Sequence, residues 1–270
     1  ASDVYKRQLL YLWQKEDFPM KEIKIKNVTI GTGLPKICVP IVETSTDAIM
    51  KKITNFNRPD IDLIEWRMDY MEQATDISAM IETARLIQQA LPEKPLLATF
   101  RTKQEGGEQS LPLADYLNLN LELAKSGYTD IIDLEFFCTE DSKKLSSVIE
   151  EIKDTHTTVL LSNHDFQKTP SKEEILQRLN GMQEIGGDIA KIAVMPNTTT
   201  DVLTLLSATC EMAEKASVPI VTMSMGKLGA ISRISGSTFG SAITFGALGQ
   251  TSAPGQLAVE ELSTILHCLG

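Results

Sequence analysis

One lysine stands in a segment that is otherwise largely apolar. Lys191 lies within residues 187–195, whose Ile, Ala, Val and Met side chains are typical of a buried strand. Burial penalises the charged form of a lysine, so the free amine becomes available as a nucleophile for a carbonyl carbon. The alternative is a lysine whose ammonium reaches the strand end or pairs with a carboxylate such as Asp133 or Glu135. The segment by itself leaves both interpretations open.

Further polar side chains stand at the ends of other short β-forming runs. Glu65 and Arg67 end one run, Arg101 follows the next, and His164 follows a later one. Residues i and i+2 of a strand share a face, so Glu65 and Arg67 point the same way. Taken singly, Glu65 and Arg101 could form a structural ion pair, and His164 could be a hydrogen-bonded structural residue. Taken together with Lys191, they are typical of an active site for an anionic carbonyl compound.

Two loops and one helical segment add candidates. Residues 101–108 form a charged, glycine-bearing loop directly after a predicted strand, which suits it to folding over a ligand. Ser252 and Gln256 follow the last predicted strand and supply neutral donors. Arg233 is a candidate carboxylate clamp, because a guanidinium meets a carboxylate through two parallel hydrogen bonds.

The elements that must position these residues are strands alternating with helices. We predict eight strands, at 36–42, 61–66, 95–100, 129–135, 157–162, 188–194, 218–224 and 242–246. We predict helices at 45–56, 76–91, 111–126, 141–154, 171–185, 199–216, 226–234 and 256–268. This pattern indicates an α/β fold, a (β/α)₈ TIM barrel, whose chemistry lies at the carboxyl ends of its strands, although an open doubly wound sheet has a similar signature. Residues 21–26 and 28–30 predict a short N-terminal β-hairpin closing one end.

Composition limits the classes of partner. We expect residues 1–19, which look foreign to the rest, to be a non-native or disordered leader, and residues 20–270 to form a single barrel domain. The net charge of −10 argues against nucleic acid and anionic membranes as partners, and no apolar run is long enough to span a membrane. The four cysteines lie far apart, which indicates neither a zinc site nor disulfides and favours a reduced, cytoplasmic setting.

The sequence closely resembles the type I 3-dehydroquinate dehydratases, which are Schiff-base lyases, from about Met20 to the C-terminus. The resemblance rests on short motifs in order along the chain: Glu65-Trp66-Arg67, Thr99-Phe100-Arg101, Glu105-Gly106-Gly107-Glu108, Ser162-Asn163-His164-Asp165-Phe166, Lys191-Ile192-Ala193-Val194-Met195-Pro196, Met223-Ser224-Met225-Gly226, Ile231-Ser232-Arg233, Phe239-Gly240-Ser241-Ala242 and Ser252-Ala253-Pro254-Gly255-Gln256.

The resemblance implies dehydration of 3-dehydroquinate to 3-dehydroshikimate, a step in aromatic amino acid biosynthesis. It implies that Lys191 forms an imine with the C3 carbonyl, that His164 is the general acid and base, and that Glu105 orients His164. It further implies a homodimer with no metal or organic cofactor. The substrate contacts that it implies are Glu65, Arg67 and Arg101 on the ring hydroxyls, and Arg233, Ser252 and Gln256 on the carboxylate side.

Two other functions compete with this one. A class I aldolase-like barrel also uses a lysine imine, but it would bind a phosphate, and no glycine-rich phosphate loop follows the last two predicted strands. A barrel retained as a binding or regulatory module would lack Lys191 or His164, and both are present.

Overall fold

The computed structural model describes residues 22–249 and 252–270, so the expected leader at 1–19 lies outside the described residues. A short antiparallel hairpin, β1 (Ile23–Ile25) and β2 (Val28–Ile30), precedes a parallel sheet. The eight main strands of this sheet are β3 (Lys36–Ile41), β4 (Leu63–Arg67), β5 (Leu96–Thr99), β6 (Ile131–Glu135), β7 (Thr158–Asp165), β8 (Ile189–Val194), β9 (Ile220–Ser224) and β10 (Ile243–Ala247).

The sheet curls until its first and last members meet. β10 pairs with β3, and pairing then runs in chain order from β3 to β9. The ring closes beside β10, where the amide of Ala242 donates to the carbonyl of Ile220 at 2.8 Å. A two-residue strand, β11 (Leu257–Ala258), extends β10 on its other side. The predicted (β/α)₈ barrel is confirmed.

Helices cover the outside of the barrel between successive strands. They are α1 (Thr46–Lys52), α2 (Ile77–Ala90), α3 (Leu113–Ser126), α4 (Ser142–Asp154), α5 (Lys172–Glu184), α6 (Thr199–Lys215), α7 (Ala230–Ile234), α8 (Gly236–Phe239) and α9 (Val259–Leu269). None of the helices in the described ranges is long and apolar enough to cross a membrane.

Two of the differences from the predicted boundaries bear on the site. The helix expected at 226–234 cannot include Gly226, whose φ of +68° a right-handed helix does not allow, and it begins at Ala230. β7 was expected to end at residue 162 but continues to Asp165, since its last three residues pair in register with Ile192–Val194 of β8. His164 therefore lies inside a strand, held by a ladder of backbone hydrogen bonds, and not in a loop after it.

The barrel interior changes from apolar to polar along its strands. Its part nearer the hairpin is apolar and takes one buried side chain from each strand: Cys38, Leu63, Leu97, Ile131, Leu160, Ile189, Val221 and Ile243. Side chains alternate along a strand, so the residues two positions further on also point inward. Several of these are polar or charged, among them Glu65, Asp133 and Lys191, and they lie toward the carboxyl ends. The fold thus gathers its charged groups at one end of the barrel.

The hairpin closes the opposite end. Ile25 and Ile30 are buried in the same interior cluster as the apolar part of the barrel. Lys26 fastens the hairpin from outside, since its Nζ lies 2.9 Å from the Asp130 carboxylate and donates to the carbonyl of Lys94 at 2.9 Å. The predicted hairpin and its position are confirmed.

Candidate active site

Lys191 lies in the middle of β8 and points into the barrel. Its side chain is 4% exposed, and its Nζ lies 3.7 Å from Asp133 Oδ2 and 3.9 Å from Glu65 Oε1. Both distances exceed that of a hydrogen bond, and the Phe245 ring lies 4.4 Å from the Nζ. The amine thus does not reach solvent at the barrel mouth, and the nearer of its carboxylate neighbours is Asp133. It faces a pocket that has room for a reacting group.

His164, on β7, and Glu105 form a hydrogen-bonded pair that lines the same pocket. Glu105 Oε2 lies 2.9 Å from His164 Nδ1 and accepts from the His164 backbone amide at 3.0 Å. Glu105 reaches the pair from a 3₁₀ turn, Lys103–Glu105, in the predicted loop. Because Nδ1 is engaged by the carboxylate, Nε2 is the ring nitrogen left to act in the pocket.

Burial controls the protonation of this pair. It raises the pKa of Glu105, and the nearby charge of Glu135 acts in the same direction. Burial also lowers the pKa of His164 well below its ordinary value, helped by the positive charges of Arg101 and Lys191. The two shifts disfavour an imidazolium, so the imidazole is neutral, and its Nε2 can accept a proton once Glu105 is ionised.

Arg101 is the hub of a buried network. Its Nη2 donates to Asp133 Oδ2 at 2.6 Å, and its Nη1 donates to Glu135 Oε1 and Ser162 Oγ, both at 3.0 Å. The alternative ion pair with Glu65 is not formed; Glu65 accepts from the Thr99 hydroxyl at 3.1 Å instead. Arg101 therefore holds three strands together as well as facing the pocket.

Asp69 is a residue of the site that the sequence did not reveal. It is fully buried and binds Arg67 through two hydrogen bonds, of 2.8 Å from Nε and 2.7 Å from Nη2. The same carboxylate accepts from the backbone amides of Arg101 and Glu108. It neutralises Arg67 and anchors the loop that carries Glu105. The only signal in the sequence is an acidic residue two positions after Arg67.

Arg233, from α7, is the cation of the site without an acidic partner in the described part of the chain. It is 1% exposed, and burial lowers its pKa to about 10. Its Nη2 donates to the Pro254 carbonyl at 3.0 Å, while its Nε has no hydrogen-bond partner among the described residues. A buried guanidinium with an unused donor is suited to receive a carboxylate from a ligand.

All nine residues proposed from the sequence line one pocket at the carboxyl end of the barrel. Ser252 and Gln256 lie at its rim and bind each other, with Gln256 Nε2 donating to Ser252 Oγ at 3.0 Å. Apolar side chains of Ala193, Met223, Met225 and Phe245 complete the wall. The nine are Glu65, Arg67, Arg101, Glu105, His164, Lys191, Arg233, Ser252 and Gln256.

This geometry defines a barrel enzyme site in which a buried amine, a neutral acid–base pair and an unpaired guanidinium face the same small space. Residues 37–270 match the model of the type I 3-dehydroquinase family. The chain belongs to that family and is an enzyme of it.

Individual relatives agree over nearly their whole length. The 3-dehydroquinate dehydratase of Enterococcus faecalis is 50% identical over 248 residues, which cover 92% of this chain and 97% of the relative. That of Clostridium kluyveri is 46% identical over the same length and the same shares of both chains. A crystal structure of the type I 3-dehydroquinate dehydratase of Clostridium difficile, with covalently modified comenic acid, has a TM-score of 0.89 at 43% identity, covering 93% of this chain and 98% of that one. The aldolase-like and non-catalytic alternatives are thereby set aside.

Proposed function

We propose that the protein dehydrates 3-dehydroquinate to 3-dehydroshikimate through a Schiff base on Lys191. Membership in the type I 3-dehydroquinase family supports the reaction and its place in the shikimate pathway. The observation that carries the chemistry is the buried amine of Lys191, which faces the same pocket as His164.

In the proposed first step the amine of Lys191 attacks the C3 carbonyl. A water molecule leaves and a C=N bond replaces the C=O bond. The protonated imine withdraws electrons from the ring, so the hydrogen on the neighbouring C2 becomes acidic. The lysine thus supplies the electron sink itself. Asp133 and Glu65, within 4 Å of the nitrogen, stabilise its positive charge.

In the proposed second step His164 Nε2 takes the C2 proton. The electron pair returns through the enamine and expels the C1 hydroxyl, which receives a proton from His164 and leaves as water. Hydrolysis of the imine consumes one water and restores the free amine. Glu105 orients the imidazole through its contact with Nδ1.

We assign the substrate contacts from the charges of the groups that line the pocket. Arg233 receives the substrate carboxylate, since its guanidinium is buried and has no acidic partner in the described residues. Ser252 and Gln256, at the rim, add neutral donors on the same side. Glu65, Arg67 and Arg101 contact the ring hydroxyls.

Borohydride reduction in the presence of 3-dehydroquinate tests the proposal. The treated protein should carry the reduced ligand on Lys191, located by peptide mass mapping. Lys191→Met should take up no label, while Lys227→Met, which replaces an exposed lysine outside the pocket lining, should be labelled like the wild type. Wild-type turnover with no label, or with label on another lysine, would refute the assignment of Lys191.

Two further expectations rest on the sequence. We propose that the enzyme is a homodimer, as the resemblance implies, and that it acts in the cytoplasm, as its widely separated cysteines favour. Sedimentation equilibrium at several concentrations tests the first, since a mass of one chain throughout would exclude a dimer.

A further inference from the structure

Asn163 connects the acid–base pair to a half-buried arginine outside the pocket, Arg178. Its Nδ2 donates to Glu105 Oε1 at 3.0 Å, and its Oδ1 accepts from Arg178 Nη1 at 2.7 Å. Asn163 is 6% exposed and lies on β7, next to His164. Neither Asn163 nor Arg178 lines the pocket that holds Lys191.

Arg178 determines which way the Asn163 amide points. A guanidinium has only donors, so the amide must turn its oxygen toward Arg178 and its NH₂ toward Glu105. Arg178 is itself held at two other points, by an ion pair with Glu174 and by the Phe137 ring, 5.5 Å from its guanidinium carbon. The orientation of the amide is therefore imposed from outside the site.

The amide in turn acts on Glu105. An NH₂ group facing Oε1 can only donate, and a hydrogen bond donated to a carboxylate favours its ionised form. Above the pKa of Glu105, which burial raises to about 8, the carboxylate has no proton of its own, so the proton between Oε2 and His164 Nδ1 must belong to the histidine. With Nδ1 protonated, a neutral imidazole carries its lone pair on Nε2, where the proposed mechanism needs it.

We infer that Asn163, oriented by Arg178, is a positioning residue that keeps the proton of neutral His164 on Nδ1. This inference rests on the proposed function, in which Nε2 is the base. Without the amide, the pair would bind a second proton from solvent more readily: Glu105 would carry one proton and donate it to Nδ1, and Nε2 would carry the other and be unable to accept the C2 hydrogen.

Other charges around the pair act in both directions. Burial and Glu135 favour the protonated form of Glu105, whereas Arg101, whose Nη1 lies 3.6 Å away, and the Asn163 amide oppose it. Because these effects compete, the removal of one donor can decide the protonation state. The charged groups that face Glu105 and His164 are Arg101, Asp133, Glu135, Lys191 and Arg67.

Nitrogen-15 NMR of the imidazoles reads the tautomer directly. The chain has three histidines, so the signals of His164 are assigned by their loss in His164→Ala. The wild type is measured at a pH high enough that the Glu105–His164 pair holds only one proton. There, Nδ1 should show the chemical shift of a protonated nitrogen and Nε2 that of an unprotonated one. A wild-type spectrum with the proton on Nε2 would overturn the inference.

Matched substitutions test the roles of the two residues. Asn163→Leu removes the donor, Asn163→Asp replaces it with an acceptor that still binds Arg178, and Arg178→Met frees the amide to rotate. The acid limb of the kcat–pH profile should move to higher pH by about one unit in Asn163→Leu, because the loss of a donor to a carboxylate raises the pKa of that carboxylate. It should move further in Asn163→Asp, which adds a second negative charge. At pH 7 kcat should fall about tenfold if the limb lies near neutrality, while KM stays near the wild-type value. Arg178→Lys should keep part of the kcat at pH 7 that Arg178→Met loses, because an ammonium also donates to the amide oxygen.

The control is Asn118→Asp, which adds the same charge at an exposed position of α3 and should leave the profile unchanged. If Asn163→Asp fails to fold, as judged by circular dichroism, Asn163→Leu and Arg178→Met decide the question. If the acid limb of the kcat–pH profile of these variants lies at the same pH as that of the wild type, the inference is refuted. The proposed function fails separately, if the wild type neither dehydrates 3-dehydroquinate nor takes up borohydride label on Lys191.

Discussion

The cations of the pocket differ most in what they already bind. Arg101 is enclosed by Asp133, Glu135 and Ser162, whereas Arg233 has one carbonyl and one sulfur atom as partners. Removal of one partner from a buried ion pair leaves the other charge unpaired, while removal of an unpaired buried charge leaves nothing behind. The two arginines should therefore contribute to stability in opposite ways.

Urea unfolding of Arg101→Met and Arg233→Met tests this difference. We expect Arg101→Met to lower the free energy of unfolding by about 3–5 kcal/mol, because Asp133 and Glu135 remain buried without their partner. We expect Arg233→Met to be neutral or stabilising, yet to raise KM strongly. Arg233→Lys should raise KM less and leave kcat nearly unchanged, since a single charge replaces a two-pronged contact. Equal destabilisation by the two methionine variants would contradict the assignment of Arg101 as the hub.

The loss of His164 should slow elimination more than imine formation. A general acid–base group contributes about 10²–10⁴-fold to a rate, and His164 serves at least two proton transfers, so His164→Ala should lose at least this factor. The variant should accumulate an adduct on Lys191, seen by intact-protein mass spectrometry. Near-normal turnover would mean that another group, Glu105 or Glu135, is the base.

For single residues, the sequence indicated which side chains meet in the pocket but not which of them hydrogen-bond to each other. The alternation of faces along a strand is enough to bring Glu65, Arg101 and Lys191 together at one end of the barrel. Hydrogen-bond partners depend on register and loop path instead. The roles of Asp69 and Asn163 came from these contacts, and neither residue type nor spacing distinguishes them from ordinary polar residues.

At the scale of elements, the loop after β5 is what brings Glu105 to β7. Its two ends are tied together where Lys103 donates its amide to the Gln109 carbonyl at 2.9 Å. The Gln109 side chain fastens the loop to the carbonyls of Asp69 and Met71, both at 2.8 Å. The sequence predicted a loop that covers the site, but its folded path needed contacts between segments about 40 residues apart.

Gly106, directly after Glu105 in this loop, packs against the Phe166 ring. Its φ is +86°, and a Cβ there would lie 2.3 Å from the Phe166 ring. Gly106→Ala should therefore displace Glu105 and lower kcat by about tenfold or more, since misplacement by about 1 Å can cost about 10²-fold. Gly127→Ala is the matched control, because Gly127 has a φ of +72° but no atom within 4 Å of the added Cβ. Both should lose about 1–2 kcal/mol of stability to backbone strain, and equal kcat values in the two variants would argue against a steric effect at Gly106.

The hairpin supports the barrel from the opposite end. Ile30 is fully buried in the interior cluster, so Ile30→Ala should cost about 2–5 kcal/mol of unfolding free energy. Lys24→Ala, an exposed position of the same hairpin, should change it by no more than about 0.5 kcal/mol. Chemical denaturation measures both. Similar small values for the two variants would show that the hairpin does not stabilise the barrel.

For the whole molecule, the order of the elements was predictable and their ends were not. Alternating strands and helices allow few arrangements, because parallel strands need helical crossovers of one hand. Boundaries depend on local conformation and on pairing: Gly226 delays α7, and pairing with β8 extends β7 through His164. The extension matters for function, since it gives the proposed base a rigid backbone.

Because the hairpin closes the lower end of the barrel, the pocket opens to solvent only at the carboxyl ends of the strands. Ile25 and Ile30 stop the interior below the layer of Lys191, so nothing passes through the barrel. In the proposed mechanism, the substrate, the water lost in imine formation, the water expelled from C1 and the water that finally frees the product would all have to use the carboxyl-end mouth. A covalent intermediate in that mouth would screen its own imine from bulk water. Hydrolysis would then wait until the mouth clears, and the hairpin, far from the proposed chemistry, would help to keep the intermediate intact until elimination is complete.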